Sequence, residues 1–233
     1  MSSDHGSPKA AKSARLLPFF EAAVVIPTLG GLALAIARDG VAEESELPQL
    51  VGWILIIALV ELIPVPVWRG VHISMGFPLM MVVAFMYEPQ AAAAAALLAA
   101  SDPREFKREV GLLRALFNRC QVALAVGSAS LVFHELADLD TSGAAQLIGA
   151  AGLASIADYV VNTTLVCVAA SIHFWMNPLR VIRELKVGRL SEYLVSYLGL
   201  SAFGLMLAKF LNRPGNNWWA VPVFLLPLLL ARQ

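Results

Sequence analysis

Charge is scarce in this chain of 233 residues, and what there is cancels: 17 basic residues stand against 17 acidic, 15% of the sequence. No basic excess is left to hold a nucleic acid, whose phosphate backbone demands one. Thiols are scarcer still. The two cysteines, Cys120 and Cys167, both lie inside apolar runs, which leaves packing as their role and excludes a disulfide framework or a zinc knuckle. There is no phosphate-binding glycine loop, no HExxH, no paired-cysteine motif, no GxSxG and no His-Asp dipeptide. Catalysis therefore has no residue-level support, and the sequence predicts neither an enzyme nor a bound cofactor or metal. Also missing is any polar stretch long enough to make a folded soluble domain.

What is abundant is hydrocarbon. Hydrophobic residues make up 58% of the chain and mean hydropathy is +0.71. Apolar runs extend almost without a break from Leu16 to Leu230, more than a water-soluble core could absorb. A helix needs about twenty residues to cross the hydrocarbon layer. The runs predict spans near 17–37, 48–63, 72–87, 90–100, 112–136, 143–175, 190–211 and 218–230. The third and fourth are short, so a re-entrant hairpin over 72–100 stands beside two full crossings. The expected fold is an all-α integral membrane protein, a polytopic helical bundle of six to eight transmembrane helices.

Residues 1–15 are polar, small and weakly basic, which predicts a disordered cytoplasmic tail ahead of a single transmembrane domain over 16–233. Glu21 and Pro27 interrupt the next run, which does not suit a cleaved secretory signal. With the amino terminus inside, Lys9, Lys12, Arg15, Arg69, Arg104, Lys107, Arg108, Arg180, Arg183, Lys186, Arg189 and Arg232 all fall in cytoplasmic connections. Only Arg38, Lys209 and Arg213 fall opposite, where Asp39, Glu43, Glu44, Glu46, Glu135, Asp138 and Asp140 gather. This asymmetry is the positive-inside pattern, and it predicts a bacterial inner-membrane protein with both termini in the cytoplasm.

Three connections carry local signals. In 102–105, Asp102 can cap a helix, Pro103 suits its first position and Glu105 completes a capping box. An amphipathic helix is expected to run on through Leu113 at the inner-leaflet interface, and a second one from Pro178 to Gly188. Residues 65–74, with alternating β-branched residues, prolines and a central Arg-Gly, predict a short extended hairpin.

Polar residues within spans are expensive in lipid and should face other helices or a cavity. Arg114, Asn118 and Gln121 form one stripe on the fifth helix by i, i+4, i+7 spacing, and Ser155, Asp158, Asn162 and His173 share one sector of the sixth. Two readings follow. One is a ligand pocket with Asp158 as charged anchor and Asn118, Gln121 and Asn162 as hydrogen-bond partners. The other is interhelical glue. Glu61 and Glu192 lie at the depth of Arg114 and Arg119, which predicts a structural ion-pair layer. His134 and Asp138 alone are too few for a metal site. Spacings such as Ala123/Gly127 and Gly204/Ala208 permit close packing without naming an interface.

The order Glu61-Leu62-Ile63-Pro64-Val65, ALFNRCQVALAVGSASLVF at 115–133, DYVVNTTLVCVAA at 158–170 and PVFLLPLLLARQ at 222–233 resembles a bacterial membrane sensor domain. That domain is found amino-terminal to HD-GYP phosphohydrolases and some diguanylate cyclases of cyclic-di-GMP signalling. Asn118, Gln121 and Asn162 match recurrent polar positions of that family, and Glu61 an acidic position before the proline-rich hairpin. The resemblance implies a sensory or ligand-binding module that signals to a cytoplasmic output domain. Such a domain would follow the last span, whereas this sequence stops at Gln233. A weaker similarity joins the layout to the substrate-binding membrane subunits of energy-coupling-factor vitamin transporters. That similarity implies a transport subunit for a small solute as the alternative, and a structural membrane partner is the second. The partners expected are the bilayer, a small-molecule ligand, and a cytoplasmic signalling domain or a second copy of the chain.

Overall fold

The computed structural model describes residues 8–62, 66–67, 71–72, 76–106, 108–178, 180–181 and 190–212. Helix α1 spans Pro8–Asp39, α2 Leu47–Glu61, α3 Gly76–Met86, α4 Pro89–Ala99, α5 Pro103–Phe106, α6 Leu112–Leu136, α7 Ala144–Phe174 and α8 Leu190–Leu211. The backbone of 8–15, expected as a tail, is the polar start of α1. A two-residue antiparallel ladder, β1 (Pro66–Val67) with β2 (Val71–His72), pairs Pro66 with His72 and Val67 with Val71. The expected eighth span at 218–230 and most of the amphipathic segment after Pro178 lie outside the described residues.

Three helical stretches are long and apolar enough to cross a membrane: Leu16–Asp39, Leu112–Leu136 and Ala144–Phe174. Their surfaces carry large apolar side chains that only lipid would welcome, among them Phe19, Ile26, Leu34, Ile148 and Val160, all more than half exposed. Helix α6 is the hub, packing against α1, α3, α4 and α7.

The core is built around two short helices. Every residue of α3 from Gly76 to Phe85 is buried, enclosed by α2, α4, α6 and α8. Alanines let α4 come equally close: Ala91, Ala92, Ala95, Ala96 and Ala99 are all buried against neighbours. A Cβ added at Gly127 would lie 3.1 Å from Ala93 Cβ, so α6 and α4 touch almost backbone to backbone. At Gly204 a Cβ would come 2.8 Å from the Pro78 carbonyl oxygen and 3.2 Å from Met81 Cβ, which sets the α8–α3 crossing.

The α3–α4 tip sits with the acidic loop after α1, where Asp39, Glu43, Glu46, Tyr87, Glu88 and His134 line one groove. Ser130 of α6 holds it there, its hydroxyl donating to the Tyr87 carbonyl at 2.7 Å. At the same end Lys209 donates to the Leu139 carbonyl and Asn212 to Asp140 (2.7 Å), so the lysine opposite the other basic residues closes the α6–α7 loop. Asp138 organises that loop by accepting from the amides of Asp140 (2.8 Å) and Thr141 (2.9 Å). Those amides hold its carboxyl below the usual carboxylate range.

At the other end Asp102 caps α5, accepting from the Arg104 amide at 2.9 Å and from its guanidinium at 2.6 Å. This arginine holds the Asp102 carboxyl low. The expected capping box is not completed. Glu105 turns away to Arg119, receiving Nη2 at 2.7 Å and Nε at 3.1 Å. Nor does the helix continue to Leu113: α5 ends at Phe106, and Arg108 is left-handed with φ 56°.

Candidate functional site

The two predicted polar stripes meet across the α6–α7 interface, which is extensive because small residues (Ala123, Gly127, Ala150, Ala151, Ala154) let the helices approach. Gln121 Nε2 donates to Asn162 Oδ1 at 2.5 Å, a direct bond between two members of the predicted quartet of Asn118, Gln121, Asp158 and Asn162. This bridge has a cavity on either side, each of about 140 Å³. Asn118 and Gln121 line one; Asp158 and Asn162 line the other.

The Asn118 cavity opens between α1, α6 and α7, where Glu21, Arg114 and His173 also contribute. Glu21 is buried and Arg114 exposed, so an acid inside faces two basic groups at the rim.

The Asp158 cavity is different in character. Asp158 is 3% exposed, and no hydrogen bond or ion pair reaches its carboxylate among the described residues. The walls are Glu61 of α2, Phe77 and Met80 of α3, Val122 and Val126 of α6, and Tyr197 of α8. Glu61 lies against the start of α3: a Cβ at Gly76 would fall on its Oε1. The carboxylate thus occupies the space beside Gly76, and an acid at a helix N-terminus is electrostatically favoured. Tyr197 packs on Phe77 in a tilted pair with centroids 4.0 Å apart and meets Tyr159 edge-on at 5.8 Å. Ser155 is not part of this wall chemistry, because its hydroxyl is turned back to the Ala151 carbonyl at 2.8 Å.

Of the residues expected as an ion-pair layer, Arg119 has the most contacts among the described residues. Arg119 engages Glu105, Ser101 and the Leu97 and Leu98 carbonyls at the end of α4, so it works as a clamp between α4, α5 and α6. Arg114 belongs to the Asn118 cavity and Glu61 to the Asp158 cavity. Glu192 lies in the first turn of α8, and its side chain is outside the described residues. Periodicity could not have found the Phe77–Tyr197 wall, since aromatic residues in apolar runs read as ordinary core. The Glu105–Arg119 pair was equally hidden, because Glu105 fits a capping box.

Polar groups gathered between apolar helices, with large side chains left bare on the outside, define a polytopic membrane protein with internal cavities. Residues 32–232 match the MASE9 family model, so the chain belongs to MASE9, a family of membrane-associated sensor domains. Such domains are typically non-catalytic membrane modules. No curated protein and no solved structure matches the chain.

Proposed function

We propose that this chain is the sensing module of a bacterial inner-membrane signalling protein, binding a small ligand in the Asp158 cavity and passing occupancy to a cytoplasmic output through α8. The observation that carries this reading is the unpartnered Asp158 carboxylate in a cavity of ligand size. An ionisable residue at such depth is costly in lipid and marks function more often than packing. Among the described residues the cavity touches α8 at Tyr197. Tyr197 forms part of its wall, while Gly204, Lys209 and Asn212 fasten the far half of the helix. A ligand that displaces Tyr197 therefore swings the near half of α8 about a fixed far half. A bias of a few kcal/mol between two such positions is enough to switch an attached domain.

The arginine-bearing end is placed in the cytoplasm on the asymmetry of basic residues. Two crossings by α3 and α4 rather than a re-entrant hairpin is the reading supported by their tip, which reaches the acidic loops although each helix is only about 16 Å long.

The test is a thermal-shift screen of purified full chain against small metabolites, repeated with Asp158→Asn and Asn162→Ala. Hits are followed by distance measurements between spin labels at 156 and 195. The expected result is a ligand that stabilises the wild type, loses its effect in Asp158→Asn, and shifts the 156–195 distance. A ligand bound equally well by both variants, or bound without moving α8, overturns the proposal.

A further inference from the structure

We infer that the ligand of the Asp158 cavity is a small organic ammonium ion, its charged group at Asp158 and its carbon skeleton against the aromatic and aliphatic wall. This rests on reading the cavity as the ligand pocket and adds the chemical class.

The wall decides the sign of charge. Among the described residues it contains two acids, Glu61 and Asp158, and no lysine, arginine or histidine. An anion entering would face two carboxylates across walls that screen little. A neutral solute would bring no charge to Asp158, whereas a cation would supply the positive group that the described lining lacks.

The wall also decides between kinds of cation. A bare metal ion in an oxygen site asks for about six ligands. Among the described residues no group of three or more His, Cys, Asp or Glu side chains could hold one, and most of this lining is hydrocarbon. Aliphatic and aromatic surface suits a carbon skeleton. Phe77 and Tyr197, tilted 41° to one another with centroids 4.0 Å apart, both line the cavity and give it the aromatic surface against which alkylammonium groups bind well. A volume of about 140 Å³ is close to that of an apolar cavity that accepts benzene, so a skeleton of roughly six heavy atoms fits. The ammonium N–H groups would donate to the Asp158 carboxylate, while Asn162 Oδ1 remains engaged by Gln121.

The experiment titrates purified full chain in lipid nanodiscs with ethyl-, n-butyl- and phenethylammonium chloride. Sodium chloride holds ionic strength constant, and 1-butanol and butyrate serve as neutral and anionic controls. At least one ammonium ion should raise the melting temperature saturably, with an apparent Kd at least tenfold weaker in Asp158→Asn, and the controls should not. A second readout needs no variant: dicyclohexylcarbodiimide labelling of Asp158, mapped by peptide mass spectrometry, should be slowed by the same amine and not by 1-butanol. The inference is overturned if none of the three amines stabilises the protein, if Asp158→Asn responds like the wild type, or if labelling ignores the amine. A neutral or anionic metabolite that stabilises the wild type but not Asp158→Asn also overturns it, and in that case the sensor reading stands.

Discussion

Alanine at position 204 tests the packing on which α8 depends. A Cβ there would sit 2.8 Å from the Pro78 carbonyl oxygen, a backbone atom of the fully buried α3 that cannot rotate away. Forcing an extra methyl into such a contact costs about 1–3 kcal/mol. Against this, replacing glycine by alanine inside a helix returns roughly 1 kcal/mol through backbone entropy. The net effect of Gly204→Ala is thus a loss of about 0–2 kcal/mol, too small an interval to read alone. Gly199 on the same helix supplies the reference: it is exposed, and a Cβ there meets nothing within 4 Å. Gly199→Ala should gain the full helix term of roughly 1 kcal/mol. The difference between the two variants isolates the contact, and it should be about 1–3 kcal/mol. Equilibrium unfolding in mixed micelles, titrated with a denaturing detergent, measures it. If the two alanine variants unfold at the same detergent fraction, α8 does not cross α3 at Gly204.

Two further outcomes follow from the polar contacts. Arg119→Lys should destabilise the protein by about 2–4 kcal/mol in the same unfolding assay, because lysine cannot reproduce the two-nitrogen grip on Glu105 and leaves the Leu97 and Leu98 carbonyls bare. A Glu105→Gln variant as stable as the wild type would show that the pair contributes nothing. Asp138, whose carboxyl is held low by the loop amides, contributes order that is complete above the ordinary aspartate range near about pH 4 and is lost as pH falls through its depressed pKa. Proteolytic nicking of the 137–143 loop should therefore be faster in Asp138→Ala than in the wild type at neutral pH, and the difference should shrink towards pH 2. A constant ratio across that range would refute the assignment.

The long helices were legible in the sequence because a run of twenty apolar residues leaves the backbone no alternative in lipid: 112–136 and 190–211 were placed to the residue. The meeting of Gln121 with Asn162 was legible too, since period 3.6 puts each on a polar stripe of consecutive antiparallel helices. Periodicity says nothing of depth, however, and so could not divide the quartet between two cavities. Nor could it foresee how Arg119 would be used. That arginine follows an apolar run like any interfacial cation, and only the close approach of the alanine-rich α4 brings the Leu97 and Leu98 carbonyls within its reach. Gly204 shows the same limit. Small-residue spacing marks a surface that can be approached, while the partner that approaches is fixed by tertiary packing alone.

The Asp158 cavity and the shortness of α3 have one physical origin. Eleven residues cover about 16 Å, so a helix whose far end reaches the acidic loops must begin well below the opposite surface. Its first-turn N–H groups then lie at depth, where an unsatisfied amide is expensive. Glu61, resting on Gly76, supplies the negative charge that such a helix end attracts. The same level holds Phe77 and Asp158, so the recessed start of α3 makes a small polar chamber between hydrocarbon walls. A leucine at position 158 would take no ionisable group out of water. Asp158 is an ionisable group held in the bundle at a cost, and among the described residues no basic group lines its chamber. That makes this chamber a better candidate for sensing than the Asn118 cavity, where Arg114 and His173 already face Glu21.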